Sequence, residues 1–344
     1  MENMEIQKNN SWTGQEKRQL VIFALIAYVL PYVLGLLMWY GVKQEMDLSV
    51  FPNAQMFYPA AGVMLAVLLM KKDHLLVPKR FFGFYLVLTI IMAAMAVASI
   101  FLQSVPWASI ISLPIIVGSV AGWVFLLTEK KEKREQSGLR WKNTKASIFC
   151  IVLFLVLYFL RYGIAVVISG ETEALTSLVS NPVTWINFFA LFINFFLVFI
   201  AFFGEEYGWR YYLTPMLQKR YGKRIGVILL GILWGLWHLP IDFFYYTTTT
   251  GLQMAAAQQI TCITLGIFFA YTYMKTENIW VPVILHMLNN NLIPIFSQNY
   301  SADILENQVV GWGDLLPSLL MNGLLFGIFL LAKVYRKEAE KNKN

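Results

Sequence analysis

A series of long apolar segments constrains the fold of this chain more than any other feature of the sequence. A helix that crosses a membrane needs about 20 mostly apolar residues. Hydrophobic residues make up 58% of the chain and charged residues only 14%, so a water-soluble domain could not cover its own core. The sequence therefore predicts an all-α, polytopic membrane helix bundle of about ten transmembrane helices. The predicted spans cover residues 20–42, 57–70, 81–102, 107–127, 147–168, 184–203, 225–245, 257–274, 279–296 and 315–334.

The loops between the spans alternate in charge, and this alternation predicts their sidedness. Lys and Arg concentrate before the first span, after the second, fourth and sixth spans, and in the C-terminal tail, whereas most other loops are neutral or acidic. The loop after the eighth span is the weakest step of the alternation, because its one lysine is balanced by a glutamate. Basic loops of membrane proteins are cytoplasmic, so both termini are predicted to lie in the cytoplasm. The basic cluster 130–145 is interpreted as an ordinary cytoplasmic loop, and no nucleic-acid partner is predicted. The predicted location is the plasma membrane.

The predicted organisation has four parts. Residues 1–19 form a cytoplasmic tail, and residues 20–146 form an N-terminal module of four spans. Residues 147–296 form a membrane-embedded core, and residues 297–344 contain an outer loop, the last span and a basic tail. No signal peptide is expected, because the first apolar segment is too long. Cys150 and Cys262 lie in apolar segments and form no C-x-x-C pattern, which excludes a disulfide framework and a cysteine zinc site.

Ionisable residues inside apolar spans are costly in a bilayer, so they mark candidate functional sites. One such residue, Arg161, lies in the fifth span, and we expect it to reach the membrane surface or to pair with Glu171 or Glu173. The third histidine, His74, falls in a cytoplasmic loop. The remaining intramembrane ionisable residues concentrate in the second half of the chain and are Glu205, Glu206, Arg210, His238, Asp242 and His286.

Three of these side chains are predicted to lie at a similar depth. At 1.5 Å per residue, Glu205 lies about 21 Å from the basic end of its span, His238 about 21 Å and His286 about 16 Å from theirs. This agreement requires the sixth span to continue inwards past residue 203. The stretch 184–217 is too long for one straight span, so it must tilt, break or begin outside the membrane, and Pro215 allows a kink.

Spacing within the sixth span predicts how its polar residues are arranged. Glu206 and Arg210 are four residues apart, so they share a helix face and can form an ion pair. Glu205 points about 100° away from that face. Gly204 and Gly208 form a G-x-x-x-G pattern, which predicts the close approach of another helix.

The same four-residue spacing recurs in the seventh and ninth spans. Trp234 precedes His238 by one turn and is predicted to lie beside its ring, and Asp242 follows by one turn and is expected to orient that ring. Pro240 between them allows a bend. His286 and Asn290 likewise place two polar groups on one face of the ninth span.

This ordered set of three motifs resembles the CPBP family, which comprises CAAX prenyl endopeptidases and bacteriocin-processing or abortive-infection intramembrane proteases. The resemblance covers residues 184–296, about a third of the chain. It has one departure, a Trp in the second motif where many members have Phe, and it leaves the first four spans unexplained. The motifs read Glu205-Glu206-x-x-x-Arg210, Trp234-x-x-x-His238 and His286-x-x-x-Asn290.

The resemblance implies roles for these residues in peptide hydrolysis. Glu205 and His238 are implied to activate a water molecule, and His286 and Asn290 to form an oxyanion hole. The Glu206–Arg210 pair is implied to be structural. Two histidines and a carboxylate also make a zinc set, with Glu205, His238 and His286 as ligands. Because no H-E-x-x-H motif occurs, catalysis without a metal is favoured and zinc remains the alternative.

The predicted function is therefore an intramembrane endopeptidase with a cytoplasm-facing cavity, cleaving a membrane-associated protein or peptide. Serine, cysteine and aspartate-dyad proteolysis are disfavoured, since the motifs they need are missing. A non-catalytic peptide-binding protein of the same fold, acting in bacteriocin self-immunity or as a scaffold, is the main alternative. A proton-coupled transporter that uses Glu205 and the two intramembrane histidines as a relay is the third hypothesis.

Overall fold

The computed structural model describes residues 11–70, 76–301 and 303–336, and all regular structure in these ranges is helical. The predicted all-α class is confirmed, and the chain is a polytopic helical membrane protein. The predicted loop position of His74 lies outside the described residues. Eight described helices are long and apolar enough to cross a membrane: α1 (Gly14–Lys43), α2 (Val50–Met70), α3 (Lys79–Phe101), α4 (Trp107–Thr128), α5 (Thr144–Ser169), α6 (Pro182–Tyr221), α7 (Lys223–Tyr246) and α8 (Gly251–Thr276).

The last two predicted spans differ from the other eight. The ninth is the helix α9 (Trp280–Ser297), which contains a histidine and three consecutive asparagines and is therefore less apolar than the rest. The tenth is the helix α10 (Leu315–Leu325), followed by two short 3-10 turns. The α-helix ends beside Phe326, which is fully buried and contacts the rings of Phe154 and Phe268. The described structure thus supports eight of the ten predicted spans by length and composition.

Helix α6 is one continuous helix of 40 residues that changes its winding in the middle. It is α-helical over Pro182–Glu206, a π-helix over Tyr207–Leu213, and α-helical again from Thr214. Pro215 explains the change, because proline has no N–H and its ring clashes with the carbonyl one turn earlier. Wider π-type winding relieves that clash, and it begins directly after Glu206. The kink predicted at Pro215 is thus a local change of winding.

The core of the molecule is built around α6 and the pair α7 and α8. Helix α6 packs against α2, α4 and α9, and α7 packs along α8. The first four helices therefore contact the predicted core directly. A buried hydrogen bond links the two parts, in which Gln55 Nε2 of α2 donates to the Trp237 carbonyl of α7 at 2.9 Å. The division at residue 146 stays a prediction.

Candidate active site

The two glycines of α6 allow α2 to approach very closely. A Cβ atom built on Gly204 would lie 2.2 Å from the Met56 carbonyl oxygen and 2.3 Å from the Tyr85 hydroxyl. A Cβ atom on Gly208 would lie 2.3 Å from Pro59 Cβ. The close approach predicted from the G-x-x-x-G pattern is confirmed. It fixes the turn of α6 that carries the two glutamates.

Trp234 connects the first and second motifs through two hydrogen bonds. Its indole N–H donates to Glu205 Oε2 at 2.9 Å, and its carbonyl oxygen lies 2.8 Å from His238 Nδ1. A carbonyl can only accept, so Nδ1 carries the hydrogen. The ring centroids of Trp234 and His238 are 5.9 Å apart and tilted. Trp234 therefore lies beside His238 as predicted, but it holds both residues by hydrogen bonds, which the spacing alone did not indicate.

Glu206 connects the first and third motifs. One of its oxygens, Oε1, accepts from Arg210 Nη1 at 3.0 Å and from His286 Nδ1 at 2.7 Å. The predicted Glu206–Arg210 ion pair is confirmed, and both side chains are completely buried. The Arg210 guanidinium also lies over the Trp234 ring, 4.1 Å from its centroid. Glu206 thus neutralises a buried cation and orients the His286 ring at the same time.

The third motif adds an amide with free donors. Asn290 Oδ1 accepts from Asn289 Nδ2 at 3.0 Å, and Asn290 Nδ2 has no partner among the described residues. The neighbouring Asn291 is used differently, because it bonds Asn194 of α6 at 3.2 Å. Of the three consecutive asparagines, Asn290 is therefore the one whose amide N–H groups remain available.

A cavity of about 500 Å³ brings the four predicted catalytic side chains together. Each is tied at one atom and free at another among the described residues: Glu205 at Oε1, His238 and His286 at Nε2, and Asn290 at Nδ2. Glu205, His238 and His286 are all at least 90% buried. The arrangement therefore presents a carboxylate oxygen, two imidazole nitrogens and an amide donor to one enclosed space.

Asp242 does not reach the ring that it was expected to orient. Its carboxylate oxygens are buried and have no hydrogen-bond partner in the described part of the chain. Only backbone groups join the two residues, since the Asp242 N–H donates to the His238 carbonyl. His238 Nδ1 is directed back along α7 to the Trp234 carbonyl, away from Asp242 one turn later. The Trp234 carbonyl orients His238 instead.

Sequence reasoning missed several residues that line the cavity. Gln55 lies in α2, and a buried glutamine in an apolar segment is a signal that the sequence does contain. Cys262 of α8 lies 3.7 Å from His238 Nδ1, and nothing in the sequence indicated this contact. Arg161 also lines the cavity. It forms no ion pair with Glu171 or Glu173 in the described structure, so the expected pairing is not found, and the alternative expectation that it reaches the membrane surface stays a prediction.

The described residues do not form a three-ligand metal site. No three His, Cys, Asp or Glu side chains in the described ranges come close enough together to hold one ion. Glu205, His238 and His286 face the same cavity without converging on a single point. The arrangement of these three side chains therefore fits the zinc alternative poorly.

The cavity extends towards one end of the helix bundle. Its lining includes residues of the connection between α9 and α10, the last residues of α7 and the first turns of α2 and α8. The basic loops join the helices at the opposite end of the bundle. The cavity therefore extends away from the basic loops, and the predicted sidedness of the loops and of the cavity both stay predictions. The lining residues at the open end are Pro52, Asn53, Tyr245, Tyr246, Met254, Leu305, Gln308 and Val310.

The fold and the site together define a polytopic membrane protein with a buried Glu-His-His-Asn site inside its helix bundle. Residues 185–292 match the family model described as type II CAAX prenyl endopeptidase Rce1-like, and this range contains every predicted site residue. The chain therefore contains an Rce1-like domain of the type II CAAX prenyl endopeptidase family, which confirms the resemblance seen in the motifs.

A curated relative supports the same assignment at low identity. The chain is 29% identical over 112 residues to "CAAX prenyl protease 2" of Methanococcus maripaludis. The alignment covers 31% of this chain and 41% of the relative, so the similarity spans less than half of either protein. No solved structure matches the chain.

Proposed function

We propose that this protein is an intramembrane endopeptidase of the plasma membrane that hydrolyses a peptide bond in a membrane-associated protein or peptide. The observation that carries the proposal is the set of four polar side chains around one cavity, each fixed at one atom and free at another. Side chains that only bridged helices would use their polar atoms within the bundle. The family assignment of residues 185–292 supports the proposal.

The free atoms suit hydrolysis by an activated water molecule. Glu205 Oε1 removes a proton from water that His238 Nε2 helps to position, and the hydroxide attacks the carbonyl carbon of the substrate. The resulting oxyanion accepts hydrogen bonds from Asn290 Nδ2 and from an N–H at His286 Nε2. Breaking the C–N bond then releases the amine, which takes the proton from Glu205. The products are a carboxylic acid and an amine, which exchange a proton to give a carboxylate and an ammonium group, and the base is restored.

Glu206 has a defined part in this mechanism. Its carboxylate accepts from His286 Nδ1 at 2.7 Å, so it holds the ring with Nε2 free at the cavity. The proposed N–H at Nε2 can then donate to the oxyanion. Glu206 is therefore a positioning residue, which extends the purely structural role implied by the family resemblance.

The positive-inside rule supports a cavity that opens towards the outer face of the membrane. The connections at the open end are neutral or acidic, whereas the loops at the other end carry most of the Lys and Arg. We therefore propose that the substrate enters from the outer side.

The test is a comparison of peptide termini in membranes from cells that produce the wild type or Glu205→Gln at matched abundance. We expect new termini near membrane-spanning segments in wild-type membranes, reduced about 10²–10⁴-fold in the variant because the base is lost. Glu173→Gln, which changes an exposed glutamate outside the site, serves as the control. Identical termini in all three strains would reject proteolysis and support the peptide-binding alternative. A zinc chelator should leave the cleavage unchanged.

A further inference from the structure

Arg161 gives the cavity a positive charge that the proposed mechanism does not use. It lies on α5, is half-buried and lines the same cavity as Glu205. Its Nη1 donates to Asn322 Oδ1 of α10 at 3.3 Å, and its guanidinium carbon lies 5.0 Å from the centre of the Tyr158 ring. These contacts hold the guanidinium in place without neutralising it.

The charge of Arg161 has no counter-ion in the described part of the structure. No carboxylate lies within ion-pair distance, and Glu205, the only carboxylate that lines the cavity, is bonded to Trp234 instead. A guanidinium has five N–H donors, and only one is used by a described residue. A cation inside a membrane protein usually pairs with an anion or marks a ligand site. Arg161 is therefore equipped to bind an anion that comes from outside the chain.

The groups around Arg161 favour a carboxylate as this anion. The guanidinium presents parallel N–H groups whose geometry matches the two oxygens of a carboxylate. Gln258 lines the same cavity, makes no hydrogen bond to a described residue, and can donate its amide N–H groups to the remaining lone pairs. Because the proposed substrate is a peptide, its carboxylates are the C-terminal group and the side chains of Asp and Glu.

We propose that Arg161 forms a carboxylate-binding subsite that selects and positions the substrate in the cavity that contains Glu205. This proposal rests on the proposed protease function for the role of the subsite in cleavage. Binding of a carboxylate at Arg161 does not itself require cleavage. Arg161 would act on affinity and specificity rather than on the water molecule.

Binding of synthetic peptides to the purified full-length protein in detergent tests the subsite without requiring turnover. The Glu205→Gln variant is used so that the peptides are not cleaved during the measurement. The probes are three pools of short lipidated peptides with randomised uncharged positions. The first pool has a free C-terminal carboxylate, the second a C-terminal amide, and the third a C-terminal amide and one internal glutamate. We expect the first or third pool to bind roughly 10–100-fold more tightly than the second. The pool that binds better identifies which carboxylate is recognised.

Variants of Arg161 assign the preference to this residue. Adding Arg161→Gln should abolish the difference between pools, and Arg161→Lys should keep part of it, because the charge remains and the planar fork is lost. Arg220→Gln, which removes an exposed arginine outside the cavity, should leave the preference unchanged. Equal binding of the three pools, a preference that survives Arg161→Gln, or no measurable binding would each overturn the proposal. A preference without Glu205-dependent cleavage in membranes would instead overturn only the proteolytic function.

Discussion

Trp234 holds the proposed base and its partner histidine through two different atoms. Its indole N–H bonds Glu205, and its carbonyl bonds His238. Trp234→Phe keeps the carbonyl and an aromatic ring near Arg210 but removes the N–H. A hydrogen bond to a charged group contributes about 1.5–3 kcal/mol, so we expect kcat for cleavage to fall roughly 10–100-fold.

The neighbouring Trp237 provides the control for this substitution. It is also buried and lines the cavity, but its indole N–H has no hydrogen-bond partner in the described part of the chain. Trp237→Phe should therefore reduce stability by loss of packing and leave kcat of the folded protein close to wild type. Equal kcat for the two variants would show that the bond from Trp234 to Glu205 does not matter for cleavage.

Glu206 is predicted to affect stability as well as activity. It is completely buried and is the only described carboxylate that pairs with Arg210. Removing one partner of a buried pair costs about 3–5 kcal/mol, because the other charge stays buried without compensation. We therefore expect Glu206→Gln to lower the Tm in detergent far more than Glu205→Gln does.

A double variant separates the two roles of Glu206. Glu206→Gln combined with Arg210→Met removes both charges, so much of the lost Tm should return. Cleavage should remain low, because His286 still lacks the carboxylate that orients it. Recovery of both stability and activity would contradict the positioning role.

At the scale of helices, contacts within one helix could be predicted and contacts between helices could not. The Glu206–Arg210 pair follows from the rise of an α-helix, and the structure confirms it. The bond from Glu206 to His286 joins residues 80 positions apart, which no periodicity reveals. Within one helix the spacing still did not show which neighbour a side chain bonds, because His238 Nδ1 bonds the Trp234 carbonyl and not the Asp242 carboxylate.

The contact between α2 and α6 gives a prediction at this scale. Gly204→Ala would place a methyl group 2.2 Å from a backbone oxygen of α2, which cannot move without shifting that helix. We expect a loss of about 1–3 kcal/mol or more, together with a loss of cleavage, measured as Tm and as kcat/KM. Gly163→Ala is the matched control, since it makes the same change on α5 with no atom within 4 Å. Equal Tm values would mean that α2 and α6 are further apart than described.

The connection between α9 and α10 borders the cavity, and we expect its stability to depend on pH. The Gln308 N–H donates to the Tyr246 carbonyl at 2.7 Å, and the Val310 N–H donates to Thr250 Oγ1 at 3.1 Å. Burial and the nearby Asp47 carboxylate raise the pKa of Glu306 above its ordinary value of 4.5. Glu306 therefore binds its proton more tightly when the connection between α9 and α10 is folded than when that connection is unfolded.

This shift fixes the direction of the pH effect. The connection should be most protected from hydrogen exchange below pH 4.5, and protection should decrease as the pH rises through the raised pKa. Glu306→Gln should remove this dependence in the same window, and Glu173→Gln should keep it. An unchanged pH profile in Glu306→Gln would assign the effect to the neighbouring Asp47 or Asp303.

At the scale of the whole molecule, the sequence predicted the class of fold and the family of the core but not where its cavity opens. The prediction of spans depends on the length of apolar segments, and the prediction of sidedness depends on the charge of whole loops. Both quantities are totals over many residues, so a wrong assignment at one residue does not change either prediction. The opening depends on how ten helices pack and on a connection that crosses over their ends. Arg161 shows what the sequence could not predict. Its place near the end of the fifth predicted span indicates a position near the membrane surface, and only the packing of the helices shows that it lines the cavity.

Labelling of single cysteines in intact cells tests the orientation of the whole molecule. Gln308→Cys lies beside the cavity opening, Arg140→Cys lies in a basic loop, and the native Cys150 and Cys262 are buried. If the basic loops are cytoplasmic, a membrane-impermeant maleimide should label Gln308→Cys in intact cells and Arg140→Cys only after permeabilisation. Labelling in the reverse order would place the opening in the cytoplasm, and the substrate would then have to be sought among cytoplasmic proteins.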